Sequence, residues 1–196
     1  MKNKPLTKKI ISGKYKGKTL LLPSKLTTRS SKSIVLESFF NTIQFEIIDA
    51  TFVEVFSGSG SIGLEALSRG AKEIIFMEKD KDALSVLKKN IAQMNPLACE
   101  IFAGDSFANI DAVVKTLKRK NTDAYIYIDP PFSIREGMED IYEKMIQLIA
   151  SLPKESAKLI IIEHMTTLKI PTTIGQFKVK KSKKFGNTTL TYLKSE

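Results

Sequence analysis

Glu54-Val55-Phe56-Ser57-Gly58-Ser59-Gly60-Ser61-Ile62-Gly63 is the stretch that decides the fold. A β-rich apolar run from Thr51 ends in closely spaced glycines, and a helix-period segment follows at once, so a strand passes through a tight loop into a helix. The glycines let main chain approach a ligand closely, and the helix start offers amides to a negative group. The spacing matches G-x-G-x-x-G at Gly58, Gly60 and Gly63, and Glu78 follows Gly58 by 20 residues, where a ribose-binding acid stands in dinucleotide sites. Tight-turn glycines with no ligand produce the same short string.

Outward from this loop, strand-like and helix-like segments alternate. Strands are expected over 51–56, 73–78, 98–103, 124–128 and 158–163, and helices over 61–69, 81–94, 106–118 and 136–151. Such alternation predicts an α/β fold, a parallel sheet with helices on both faces. Before it, 9–22 reads as a short β-ribbon turning near Gly13 to Gly17, followed by a helix from about 31 to 43. After it, 176–185 and 188–193 flank Gly186-Asn187, a two-residue hairpin signal that closes the sheet with antiparallel strands. The expected division is a basic extension, 1–45, and a Rossmann-like domain, 46–196.

Acids fall at successive strand ends. Tyr125-Ile126-Tyr127-Ile128-Asp129-Pro130-Pro131-Phe132 reads as a buried strand stopped by two prolines, which leaves Asp129 where open α/β sheets place ligands. A strand-ending turn whose aspartate serves local amides is the plainer alternative. Glu78 suits ribose hydroxyls, or an ordinary pairing with Lys79 or Lys81. Asp105 suits an exocyclic adenine amine with Phe107 beside the ring, or a simple helix cap ahead of Ser106. Glu54, Glu78, Asp105 and Asp129 in order make a stronger case than any one. Glu54 ahead of the glycines favours S-adenosylmethionine over a dinucleotide, because a carboxylate there repels a pyrophosphate and attracts a sulfonium and an ammonium.

The net charge is +10 and is unevenly spread. Residues 1–32 hold ten basic side chains, the first acid is Glu37, and the other 21 bases face 21 acids. A block of one sign marks an interaction arm for a polyanion, with nucleic acid favoured, or else a solvated terminus. Lys178, Lys180, Lys181, Lys183 and Lys184 form a second cluster. One cysteine, Cys99, excludes an intramolecular disulfide and suits a reducing compartment, here the cytoplasm, and with the single His164 it leaves no zinc set. No apolar run reaches bilayer length and no signal peptide is evident, so the expectation is no membrane, no metal and nothing beyond a monomer.

Ile10 to Lys18, Arg29 to Asn41, the string Phe56 to Ala71 and Asp129-Pro130-Pro131-Phe132 together resemble the bacterial RsmD family, the 16S rRNA guanine-N2 methyltransferases of the guanine-966 type. The resemblance covers nearly the whole chain. It implies a class I methyltransferase fold with a mostly parallel seven-stranded sheet, S-adenosylmethionine as donor, and a guanine amine of 16S rRNA or the small ribosomal subunit as acceptor. Carried over by motif, Glu54, Phe56, Gly58 and Gly60 would line the methionine end. Glu78 and Asp105, with Lys79 and Ser106 beside them, would hold ribose and adenine. Asp129, Pro130, Pro131 and Phe132 would form the acceptor corner. Lys9, Lys14, Tyr15, Lys16, Lys18 and Arg29 would contact RNA. Glu54 stands where the family usually has Asp, Ser30 replaces a usual proline, and Leu36 a usual arginine. Competing readings are a DNA adenine-N6 or cytosine-N4 methyltransferase, a non-catalytic rRNA-binding assembly factor, and an NAD-dependent dehydrogenase, for which no hydride-transfer partner is found.

Overall fold

The computed structural model of this 196-residue chain describes residues 6–23, 33–131 and 140–196. Arg29, Ser30, Phe132 and the 136–139 start of an expected helix lie outside the described residues. The ribbon is an antiparallel pair, β1 (Thr7–Lys9) and β2 (Thr19–Leu21), and α1 (Ser33–Thr42) follows it. Then come β3 (Thr51–Val55), α2 (Ser61–Ser68), β4 (Glu73–Glu78), α3 (Lys81–Ala92), β5 (Cys99–Ala103), α4 (Ser106–Arg119), β6 (Ala124–Ile128), α5 (Ile141–Ser151) and β7 (Ala157–Met165). Finally β8 (Thr173–Ile174), β9 (Phe177–Phe185) and β10 (Thr188–Ser195) complete the chain.

The sheet order is β5-β4-β3-β6-β7-β10-β9-β8. The first five strands are parallel, and β10 enters antiparallel between β7 and β9. The seven expected strands are present, and β8 adds an eighth of only two residues, folded back on β9 across Gly175-Gln176 with Gly175 at φ +55°. Thr-Ile-Gly-Gln-Phe is a compact hairpin whose strand is too short for its period to register. Strand order reverses at β3, so the loops after β3 and β6 diverge and open a crevice between them.

Two buried clusters sandwich the sheet. Phe52, Tyr125, Tyr127, Leu159 and Ile161 meet the ribbon and α1 to α3 on one face, while Val53, Val55, Ile126, Ile128 and Ile160 meet α4 and α5 on the other. Every residue of β3 and β6 is buried because both faces are covered, which is why β6 reads as a continuous apolar run and β3, after Thr51, as one broken only by Glu54. Cys99 packs at the rim of the first cluster, and burial pushes its thiol up to about 12, leaving it unreactive. His164 is structural. Its ring nitrogens contact the Met165 carbonyl at 2.8 Å and the Thr191 hydroxyl at 2.9 Å, and burial holds its pKa below the usual range.

The ribbon is stitched to α2. The Glu65 carboxylate, almost wholly buried, accepts from the amides of Ile11 (2.8 Å) and Ser12 (3.0 Å) and from Arg69 Nε (2.7 Å). Ser68 Oγ donates to the Ser12 carbonyl and accepts from the Tyr15 amide. Asn90 of α3 clamps the other side, accepting from the Leu21 amide while its Nδ2 donates to the carbonyls of Leu21 and Ser59, each at 2.9 Å. The basic extension therefore shares its core and its hydrogen bonds with the glycine loop and the helix behind it.

Candidate active site

Side-chain alternation sets the site. Glu54 lies between Val53 and Val55, and Glu163 follows Ile162, so both acids point to the face of α1 and the ribbon. Asp129 continues the alternation of Tyr125 and Tyr127 to that same face, and the pairing of Ile128 with Ile162 brings it beside Glu163. Three carboxyls from three adjacent strands thus converge at the carboxyl end of the sheet, over the crevice between β3 and β6.

Glu54 is buried, and its two oxygens accept from the first-turn amides of α2, Ile62 at 3.3 Å and Gly63 at 2.8 Å. Burial pushes its pKa up to about 8, against the opposing pull of those amides and of Lys8. Asp129 is partly accessible. Desolvation, then the neighbouring carboxyls of Glu163 and Glu54, hold its pKa well above the carboxylate range, with Lys8 opposing. Tyr127 donates its phenol to Glu163 Oε2 at 2.6 Å. Lys8 comes from the ribbon. Burial lowers its pKa, while Glu54, Glu163, Glu65 and Asp129 all act to raise it.

The loop geometry follows from its residues. Phe56 takes φ +62°, turning the chain out of β3, and Ser57 Oγ ties back to the carbonyls of Glu54 and Met77. Gly60 caps α2 at φ +76°, a left-handed conformation that glycine adopts without strain, and a Cβ there would push Leu87 Cδ1, 2.3 Å away, aside. Glu78 closes the loop: Oε2 accepts from the Gly58 amide at 2.6 Å, and Oε1 from the amides of Lys79 and Asp80, both at 2.8 Å. Asp105 caps α4 through the Phe107 amide at 2.8 Å, and its other oxygen lies 3.9 Å from Lys79 Nζ, both side chains being about half exposed. Ser106 is buried as the first residue of α4. The rings of Phe56 and Phe107 lie 5.5 Å apart and form an apolar wall between the loops after β3 and β5.

The expected donor residues Glu54, Phe56, Gly58, Gly60, Glu78, Lys79, Asp105 and Ser106 therefore stand along the carboxyl ends of β3, β4 and β5, and Asp129, buried Pro130 and half-buried Pro131 stand at the end of β6. On the ribbon, Lys9, Lys14 and Lys16 are exposed, Lys18 is half-buried, and Tyr15 packs partly into the core beneath the Lys14 ammonium, 5.5 Å from the ring centre. Leu36 is fully buried within α1, so it presents no polar group to solvent. Lys8 and Glu163 were missed. Glu163 hides in an apolar strand, and Lys8 differs from Lys9 only in the side of β1 it faces. Among the described residues no group of three or more His, Cys, Asp or Glu is arranged to hold a metal, and no helix is long and apolar enough to cross a membrane.

The family model described as Conserved hypothetical protein 95 matches residues 8–194. Ribosomal RNA small subunit methyltransferase D of Escherichia coli (strain K12) is 30% identical over 179 residues, 91% of this chain and 85% of that protein. The Haemophilus influenzae protein of the same name is 30% identical over 174 residues, 84% of this chain and 88% of its own length. The solved structure described as Putative methyltransferase yhhF from Escherichia coli, 24% identical, superposes with a TM-score of 0.76 over 97% of this chain and 99% of that one, so the two share the α/β fold described above. The chain belongs to the Conserved hypothetical protein 95 family, alongside the small subunit methyltransferases D.

Proposed function

We propose that this protein transfers a methyl group from S-adenosylmethionine to the exocyclic N2 amine of a guanine in 16S rRNA, the guanine-966 type of site. The observation that carries the donor reading is the occupation of the α2 amides by Glu54. A dinucleotide pyrophosphate uses those amides as its anion cradle, and here Ile62 and Gly63 already donate to the carboxyl oxygens of Glu54. A cationic ligand fits the same place. Glu54 faces its charged methionine end, Glu78 and Asp105 supply acceptors for ribose and adenine, and Phe56 and Phe107 supply an apolar wall. When bound, S-adenosylmethionine supplies an electrophilic methyl group.

The protein's own part is to localise a poor nucleophile. The guanine N2 lone pair is delocalised into the ring, and Asp129 and the Pro130 carbonyl each accept one N–H, aiming the lone pair toward the donor side of the crevice. After transfer the nitrogen is cationic and strongly acidic, so the ionised form of Asp129, which Lys8 favours against desolvation and the neighbouring carboxyls, takes its proton with no need of a raised pKa. Tyr127 holds Glu163 beside Asp129, and Lys8 balances part of the negative charge. The base must leave its stack to enter, which favours a loop or partly assembled RNA. The basic extension, residues 1–45, with Lys9, Lys14, Lys16 and Lys18 on its ribbon, orients the RNA in this reading, and the protein works as a cytoplasmic monomer.

The test is incubation of the protein and of Asp129→Ala with methyl-labelled S-adenosylmethionine and undermodified 16S rRNA or small-subunit particles, followed by nucleoside mass spectrometry. New N2-methylguanosine with the wild type and none with the variant is expected. Label in DNA and none in RNA overturns the acceptor. Equal modification by Asp129→Ala overturns the role of the acid.

A further inference from the structure

A lysine-lined trough lies on the ribbon face of the sheet, away from the crevice. Lys158 of β7, Lys180 and Lys181 of β9 and Lys194 of β10 surround a recess of about 340 Å³ floored by Tyr125 and Tyr192. Two of the ammonium groups stand over the rings, Lys158 5.4 Å from the centre of Tyr125 and Lys181 4.7 Å from that of Tyr192. Both rings are buried, so they anchor the lysines and leave the charges facing out. Irregularities in the strand pairing aim them: the register shifts at Tyr125 where Lys158 is skipped, and again at Tyr192 where β9 holds the extra Lys180. One carboxylate, Glu46, lines the recess against four lysines. Beside it, Lys181 and Lys183 line a second groove of about 540 Å³ against Glu37, Ser38, Asn41 and Thr42 of α1.

Lysines on an exposed strand edge guard against sheet-to-sheet pairing, and β9 beyond Val179 is such an edge. That purpose does not require Lys158 and Lys194, which lie on interior strands and converge on the same recess. Crowding shows in Lys181, whose pKa is lowered by desolvation and by Lys183 and Lys194. Four like charges gathered at one recess, Lys158 and Lys181 over rings and Lys158 and Lys180 at strand irregularities, are complementary to a phosphate backbone. Tyr125 stands four residues before Asp129, about 13 Å along an extended strand.

We propose that this trough is a second RNA-docking surface, binding backbone phosphates of the same rRNA whose guanine enters the crevice; the inference rests on the rRNA reading above. Each lysine–phosphate contact in single-stranded RNA contributes a slope of about 0.7 to the dependence of log affinity on log salt. Removing three contacts lowers the slope by about 2 and, near 0.1 M salt, weakens binding by about 100-fold.

The experiment compares wild type, Lys158→Gln/Lys181→Gln/Lys194→Gln and the corresponding triple Arg variant. Binding to labelled undermodified 16S rRNA is followed by anisotropy across a salt series, with thermal melts to confirm folding. The proposal expects the Gln variant to lose affinity and slope while the Arg variant keeps both. Unchanged affinity and slope in the Gln variant overturn it, as does self-association of that variant with RNA binding intact, which is the signature of edge protection. Methyl transfer is read separately: wild type that binds RNA and S-adenosylmethionine but makes no N2-methylguanosine sinks the catalytic reading, while the salt slope still decides the trough.

Discussion

Replacing Glu54 with Gln changes how stability depends on pH, and the size of the change follows from the site. Burial raises the Glu54 pKa from an ordinary 4.5 to about 8. Below 4.5 the group is protonated in both native and unfolded states and costs nothing. Between the two values the native state keeps a proton that the unfolded chain has released, so stability falls as pH rises, by about 1.4 kcal/mol per pH unit. Across the window the loss approaches about 5 kcal/mol, and above about 8 it is complete. Gln cannot ionise and lacks this slope. It carries a different penalty, because its amide accepts from only one of the Ile62 and Gly63 donors and turns an NH₂ toward the other, costing about 1–3 kcal/mol at every pH. The two stability curves therefore converge or cross between pH 5 and 9, with the wild type ahead on the acid side. The chain has no Trp, so urea unfolding is followed by far-UV circular dichroism. Asp129 is shifted in the same direction and leaves some slope in the variant, so the measured quantity is the difference between the curves. Parallel curves, or a wild type that grows more stable toward pH 8, refute the assignment. Donor binding provides a second readout. A cation brought to Glu54 favours its ionised form, so S-adenosylmethionine releases a proton on binding near pH 7, visible as a buffer-dependent heat in calorimetry, and E54Q abolishes most of it.

Three further perturbations have defined outcomes. Asn90→Ala strands the Leu21 amide and the carbonyls of Leu21 and Ser59, costing about 3 kcal/mol in urea unfolding, and donor affinity falls with it because Ser59 belongs to the glycine loop. Gly13→Ala puts a methyl 1.8 Å from the Ser68 carbonyl at a φ of +83°, so the ribbon turn lifts from α2 and limited proteolysis cuts within residues 9–22 faster than in wild type; equal cutting rates count against the latch. Tyr127→Phe removes one hydrogen-bond donor to Glu163, lowering stability by about 1–3 kcal/mol, whereas a change under about 0.5 kcal/mol shows that the bond contributes little.

The parallel half of the fold is legible because β3, β4, β5 and β6 are short runs with a glycine or an acid within three residues of their ends, Gly58, Glu78, Gly104 and Asp129, while β7 runs on past Glu163 to Met165. The acid series at the strand ends was legible for the same reason. Roles were less so. In the sequence Asp105 suits both a cap and an adenine contact, and the structure shows the cap, with its second oxygen left toward Lys79. Glu163 was invisible within Leu159-Ile160-Ile161-Ile162 because its partner Asp129 comes from a strand 34 residues earlier, and only the β6–β7 register brings them together. Lys8 stood among ten like charges, and the inward position follows from the pairing of Lys8 with Leu20 in a strand of three residues, too short for any periodicity to declare.

Helix α2 has a consequence for how this chain tolerates change. Seven of its eight residues are buried, with Glu54 bonded at its first turn and the ribbon latched along its last. A helix wetted on one side keeps positions where many residues serve equally well, as α3 and α4 do. This one has almost none, so Ser61 to Ser68 admits few spellings. A single-site library should find its sparsest row there, even in a screen that asks only for folding and never for activity.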